Sequence, residues 1–303
     1  MQIGLYGLGR MGGNMARRLS RGGVQVHACN RSFEVTQKIA AEEANVVACQ
    51  SLAEMVQGLS APRVVWLMLP AGEATDQAIR EVAPLLSPGD LLVDGANGFY
   101  QEAMRRSGEL AAQGIHFADV GVSGGVWGLA NGYCVMAGAS DAVIGGLTPF
   151  LKVLAPTPEN GWLHAGPVGA GHFTKMVHNG IEYGMMQALA EGFALMGAKK
   201  EFDLNLGEIA ELWRHSSVVR SWLLDLTADF LRDDPQALET IAPVVADSGE
   251  GRWTVLESVN LGVPTPVMTQ ALMARFSSQG KGDYANKVLA MMRKGFGGHA
   301  VQK

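Results

Sequence analysis

Short runs of apolar and β-branched residues alternate with amphipathic stretches through the first half of the chain. Strands are predicted over Gln2–Tyr6, Val24–Cys29, Val64–Met68, Leu91–Asp94 and His116–Val122, where such runs end at Gly, Asn, Asp or Pro. Between them, apolar positions recur at helical spacing over Met11–Arg21, Phe33–Glu42, Ala74–Leu85 and Tyr100–Gln113. This alternation predicts a parallel sheet covered on both faces, an α/β doubly wound domain. A loop rich in Gly and Pro is expected over Pro156–Gly171, after which the period changes. Gly171–Lys199 reads as one long helix, and the remainder as helices broken at Pro235, Pro243, Pro264 and Pro266. The expected division is a nucleotide domain over 1–165 and an all-α domain over 166–303.

The glycines of the first turn say what the sheet binds. Gly7, Gly9 and Gly12 stand in GxGxxG spacing within IGLYGLGRMGGN, between the first strand and the first helix. Such spacing permits a tight turn, a close approach of backbone to a pyrophosphate, and close packing of helix on strand. Free N–H groups and the partial positive charge of the helix N-terminus then face the anion. The context predicts a Rossmann-type dinucleotide site, with Leu8, Arg10 and Met11 in the same loop. At the end of the second strand, Asn30, Arg31 and Ser32 replace the carboxylate that would hold a ribose 2′-hydroxyl. Arg31 can pair with a 2′-phosphate, and Asn30 and Ser32 can donate hydrogen bonds, which favours NADP over the alternative, NAD.

A second constellation lies on the long helix. Lys175, His178, Asn179 and Glu182 recur at i, i+3, i+4 and i+7, so one side of the helix would offer an amine, an imidazole, an amide and a carboxyl. Tyr183 borders this arc, while Val177, Ile181, Met185 and Leu189 would pack the other side. An ordinary solvated stripe is the plainer reading of that spacing. Two glycine-rich turns, Asp94–Gly98 and Gly121–Gly125, fall at strand ends, where doubly wound folds bind ligands. There Asn97 could orient a hydroxyl or carboxamide, and Ser123 with the Gly124 and Gly125 amides could hold a carboxylate.

Composition narrows the partners. The 303 residues suffice for two cores, and 48% hydrophobic against 17% charged residues describes a compact protein. A net charge of −5 gives no nucleic-acid footprint, so an anionic ligand needs a local cluster of cations. Three unevenly spaced cysteines, Cys29, Cys49 and Cys134, suit reduced thiols and a cytoplasmic location. Met1 leads straight into a strand, so no signal peptide is expected, and apolar stretches such as Val64–Pro70 are too short to span a bilayer. The seven histidines and the carboxylates do not recur at metal-ligand spacing, so no metal is expected.

Taken together, the glycine loop, NRS at Asn30–Ser32, DGANG, GVSGG, KMVHNGIEYG at Lys175–Gly184, GRWT at Gly251–Thr254, the MAR ending at Arg275 and RKGFGGH at Arg293–His299 resemble the 6-phosphogluconate dehydrogenases. These enzymes belong to the β-hydroxyacid dehydrogenase superfamily and serve the pentose phosphate pathway and gluconate utilisation; the length is similar to the family's short form. The resemblance implies oxidative decarboxylation of 6-phosphogluconate to ribulose 5-phosphate and CO2 with reduction of NAD(P). It implies Lys175 as general base and Glu182 as general acid. Asn97, Ser123, Gly124, Gly125, His178 and Asn179 would contact the substrate around its carboxylate and reacting carbons. Tyr183, Arg275, Arg293 and His299 would hold its phosphate. The long form has a further lysine upstream of its GKWT segment that this chain lacks, and whether Arg252 substitutes for it as a substrate contact is left open by the resemblance. Leu69, Pro70 and Ala71, with Asn97, would line the nicotinamide, and Pro70 replaces a family lysine there. A homodimer or homotetramer is implied, with the C-terminal tail reaching a neighbouring subunit. Two alternatives remain open at this point: a dehydrogenase of a small non-phosphorylated acid such as 3-hydroxyisobutyrate, and a non-catalytic NADP-binding protein.

Overall fold

The structure is a computed structural model that describes residues 1–233, 237–297 and 300. It comprises two compact units, Met1–Met176 and Val177–Lys303.

In the first unit, eight strands form one sheet in the order β3-β2-β1-β4-β5-β6-β7-β8. They are β1 (Gln2–Tyr6), β2 (Gln25–Cys29), β3 (Val46–Cys49), β4 (Val64–Leu67), β5 (Leu91–Asp94), β6 (His116–Ser123), β7 (Cys134–Ala139) and β8 (Trp162–Gly166). The helices are α1 (Arg10–Arg21), α2 (Phe33–Glu42), α3 (Leu52–Gln57), α4 (Glu73–Val82), α5 (Tyr100–Ala111), α6 (Gly128–Asn131) and α7 (Asp141–Leu154). Six strands run parallel from β3 to β6; β7 is antiparallel to β6, and β8 runs parallel to β7. Both sheet faces are buried, as a parallel sheet requires. Alternate residues of one strand feed different cores: Leu91 and Val93 join one apolar cluster, Leu92 the other.

The five predicted strands and four predicted helices of this half are present with boundaries shifted by a few residues. Three strands were not anticipated: β3, β7 and β8. The expected loop over Pro156–Gly171 contains β8, a partly exposed strand whose His164 and Gly166 interrupt any apolar run.

Helix α8 (Ala170–Ala198) begins in the first unit and continues into the second. The second unit then carries α9 (Leu206–Trp213), α10 (Trp222–Asp233), α11 (Ala237–Thr240), α12 (Glu250–Leu261), α13 (Pro266–Ser278) and α14 (Asp283–Gly297). Pro266 opens α13 rather than interrupting a helix, since its fixed φ suits the first helical position and no N–H is needed there. Pro235 lies outside the described residues.

The packing side of α8 also differs from expectation. Met176, Gly180, Tyr183 and Gly184 are buried, whereas Ile181 and Met185 are exposed. The cause is visible at the glycines: a Cβ on Gly180 would stand 2.7 Å from the Thr254 side chain, and one on Gly184 3.3 Å from Val267. Bare backbone lets α12 and α13 approach there, so this side is the packed one. Among the described residues no helix is long and apolar enough to cross a membrane.

Candidate active site

The turn from β1 to α1 uses its three glycines differently. Gly7 has φ 97°, and a Cβ there would lie 2.3 Å from the Met68 carbonyl oxygen. A Cβ on Gly12 would lie 2.0 Å from the Gly7 carbonyl oxygen, so helix and turn could not close on any larger residue. Around Gly9, by contrast, a Cβ would meet nothing within 4 Å. That opening lies at the start of α1, which has no side-chain cap and no acidic residue in its first turn. The cradle therefore fits an anion such as a pyrophosphate, offered backbone N–H groups and the positive end of a helix. Arg10 is exposed beside it and Met11 half-buried.

The loop after β2 is built by its own side chains. Asn30 Oδ1 accepts the Leu8 N–H at 3.0 Å, and Asn30 Nδ2 donates to the Ser32 carbonyl at 3.2 Å. The Asn30 amide thus ties the loop after β2 to the glycine turn. The Ser32 hydroxyl donates to Glu34 at 2.6 Å. Arg31 is exposed. Leu69 is half-buried after β4, whereas Pro70 and Ala71 are exposed, and the Pro70 carbonyl accepts the Thr75 hydroxyl at 2.9 Å.

Farther along the same sheet edge, Asn97 sits in the left-handed region with φ 51°, a conformation asparagine tolerates. Its Nδ2 donates to the Val122 carbonyl at 3.0 Å and its Oδ1 accepts the Val122 N–H at 2.8 Å, which clamps DGANG to GVSGG. Beneath DGANG, buried Asp94 pairs with buried Arg106 at 2.9 Å, and Arg106 also reaches Asp76 and Glu102. Ser123 ends β6, and Gly124 and Gly125 follow with φ 128° and 53°. Under this turn lies the buried Tyr133 ring, 1.9 Å from where a Gly128 Cβ would be. Asn14 of α1 donates to the Val126 carbonyl at 3.2 Å, joining that helix to the same turn.

Helix α8 is fixed at its first turn by a carboxylate. Asp119, fully buried in β6, accepts the Gly169 N–H at 2.6 Å and the His172 N–H at 2.7 Å, satisfying donors a helix start leaves open. Burial pushes the Asp119 carboxyl above its ordinary range, against the pull of His172 and these amides. His172 Nε2 lies 3.2 Å from the Asp94 carbonyl oxygen; a carbonyl only accepts, so that nitrogen carries the proton. One turn on, Lys175 is buried at 5% exposure. Its Cβ stands 2.4 Å from where a Gly121 Cβ would be, so its stem rests directly on β6 beside Ser123. Its charge reaches the Cys134 thiol: burial pushes that thiol up, and Lys175 opposes the shift.

In the second unit, His178 Nδ1 lies 2.9 Å from Asn179 Oδ1 and 3.8 Å from Glu182 Oε2, with the His178 and Glu182 side chains half-exposed. Tyr183 is 5% exposed, and its hydroxyl accepts the Ser248 N–H at 3.3 Å. The Arg275 guanidinium stacks 3.4 Å from the Tyr183 ring centre and donates to the Ala246 carbonyl at 2.7 Å. A Gly251 Cβ would meet the other parts of that ring at 2.5 Å. Arg252 donates to Asp247 at 2.9 and 2.7 Å, which holds the Asp247 carboxyl below its usual range. Arg293 is exposed on α14, and His299 lies outside the described residues. Among the described residues no group of three His, Cys, Asp or Glu gathers as a metal site.

Asp119, His172, Asn14 and Glu34 were not singled out from sequence. Only Asp119 carried a signal there, as a carboxylate inside an otherwise apolar strand.

Comparison with known proteins gives this arrangement a family. Residues 2–163 match the NAD binding domain of 6-phosphogluconate dehydrogenase, and residues 171–298 match the 6-phosphogluconate dehydrogenase C-terminal domain. The NAD(+)-dependent, decarboxylating 6-phosphogluconate dehydrogenase of Haloferax volcanii is 37% identical over 303 residues, covering 100% of this chain and 99% of that one. An NADP(+)-dependent, decarboxylating counterpart from Bacillus subtilis is 38% identical over 288 residues, 91% of this chain and 61% of its own length. The structure of Plasmodium falciparum 6-phosphogluconate dehydrogenase, described in its apo form and with NADP+ or 6-phosphogluconate, superposes with a TM-score of 0.85. That match has 29% identity and covers 100% of this chain and 66% of the Plasmodium one. The chain thus spans nearly all of the Haloferax enzyme but less than two thirds of the longer Bacillus relative. It belongs to the 6-phosphogluconate dehydrogenase family.

Proposed function

We propose that this chain catalyses the oxidative decarboxylation of 6-phosphogluconate to ribulose 5-phosphate and CO2 with a nicotinamide dinucleotide. The observation that carries this reading is helix α8, on which Lys175 and Glu182 are seven residues apart, about two turns along one unbroken rod. When bound, the oxidised nicotinamide supplies the acceptor for the hydride from C3. Lys175 takes the C3 hydroxyl proton as the hydride departs, so it must then be neutral. It next returns the proton to the C3 ketone oxygen, which draws in electrons as the bond to the carboxylate breaks. Glu182 protonates the enediol at the carbon that lost CO2.

In the same reading, Ser123 and the Gly124 and Gly125 amides hold the substrate carboxylate, and His178 and Asn179 orient its hydroxyls. Arg275, Arg293 and His299, with Tyr183, meet the phosphate, because arginine presents a bidentate fork and keeps its charge at any working pH. Arg252 joins them only by releasing part of its pair with Asp247. Asn97 bridges substrate and nicotinamide loops, and Leu69, Pro70 and Ala71 line the nicotinamide side. Arg31 favours NADP. Exposed Ile181, Met185 and Leu195 on α8 suit a homo-oligomer, whose tail would reach a neighbouring subunit.

Glu182→Gln tests the division of labour. It should slow ribulose 5-phosphate formation by about 10² to 10⁴-fold while the first turnover still reduces the nicotinamide at a much less altered rate. Rapid-quench measurement of both signals decides it. An equal fall in nicotinamide reduction, CO2 release and product would remove the assigned acid role.

A further inference from the structure

The loop after β2 contains an anion of its own. Glu34 lies in the first turn of α2, and its carboxylate accepts the Ser32 hydroxyl at 2.6 Å. Both residues are exposed, two and four positions beyond Asn30, the residue that ties this loop to the glycine turn. A hydroxyl has one proton to give, and Ser32 gives it to Glu34. The start of a helix attracts negative charge, and Glu34 already supplies it. Its carboxyl is held below the ordinary range by the Ser32 bond first and by its own backbone N–H second, so it is charged at neutral pH. The other charge on the loop is Arg31, exposed and of opposite sign.

We propose that Glu34 occupies, through Ser32, the seat that a ribose 2′-phosphate would take, and so sets the cofactor discrimination of this chain against the pull of Arg31. This inference rests on the dinucleotide reading of the glycine cradle. A dianionic 2′-phosphate must displace Glu34 from Ser32 or stand beside it, at a cost in like-charge repulsion. A 2′-hydroxyl carries no charge and meets no such barrier. Arg31 attracts the phosphate, and the balance between the two side chains fixes the preference.

The test uses fragments that lack nicotinamide, so that no catalytic step enters. Adenosine 2′,5′-bisphosphate and AMP are titrated into the full chain by calorimetry, for wild type, Glu34→Gln and Ser32→Ala. Glu34→Gln keeps an oxygen for Ser32 and removes the charge; the ratio of affinities should move toward the bisphosphate by about 10-fold, and by less in high salt. Ser32→Ala leaves the charge and should move the ratio less. A ratio within two-fold of wild type in Glu34→Gln, or a larger shift in Ser32→Ala, would overturn the inference alone. Failure of both fragments to bind wild type would overturn the dinucleotide reading together with it.

Discussion

Replacing Lys175 by methionine should lower turnover by at least about 100-fold, the range for loss of one acid-base group, while leaving dinucleotide affinity nearly unchanged. Methionine preserves most of the stem volume and removes the amine. The stem is what packs: the Lys175 side chain is buried and its Cβ rests on β6 at Gly121. A purely structural lysine would show in the exchange as lost stability, with turnover per folded molecule little changed. A proton shuttle would not, because both oxidation and decarboxylation draw on the same nitrogen. Steady-state kinetics with fluorescence titration of the reduced cofactor separates the two. Near-normal turnover in the variant would withdraw the role.

The second large effect is expected at a residue with no side chain. Gly121→Ala adds one carbon that would stand 2.4 Å from Lys175 Cβ and 2.8 Å from the Gly171 carbonyl oxygen. Neither neighbour can swing aside, since one is the root of a side chain and the other is helix backbone. Helix α8 must then lift from β6, and its first turn is also held by Asp119 through two short hydrogen bonds. Overpacking of this kind costs about 1–3 kcal/mol. A displacement of the lysine by about 1 Å can reduce turnover on the order of 100-fold. Gly145→Ala is the control, because a Cβ there meets nothing within 4 Å in the middle of α7; it should be neutral or stabilising by about 0.5–1 kcal/mol. Thermal unfolding and kcat measured on both variants check this. Equal behaviour of the two would mean that close packing at Gly121 does not position Lys175.

The glycine cradle was legible because its requirements are local: a tight turn, an open approach and a close helix contact each demand glycine at one position, whatever the rest of the chain does. The long helix was legible for a related reason, as twenty-nine residues provide many periods. Strands β3, β7 and β8 are no shorter than β4 and β5, but β3 and β8 are only partly buried and β7 and β8 carry Ala and Gly among their apolar residues, so no continuous apolar run marks them. Burial was harder to read. Arg106 looks like a solvated residue of an amphipathic helix, yet it is 1% exposed because Asp94 and Asp76 neutralise it. Partners separated by fifty residues, as Asp119 is from Gly169, leave no local trace. The same limit applies to Asn30 and Ser32, which the sequence offers as donors to a ligand. In the structure their donor groups are engaged first with the Ser32 carbonyl and the Glu34 carboxylate, contacts that only the folded loop creates.

The most direct test follows the carboxyl carbon. With 6-phosphogluconate labelled at that carbon and an oxidised nicotinamide dinucleotide, the wild-type chain should release one labelled CO2 for each nicotinamide reduced and leave ribulose 5-phosphate without label. Reduced nicotinamide with the label retained in a keto acid, or reduction only with a small acid such as 3-hydroxyisobutyrate, would contradict the assignment.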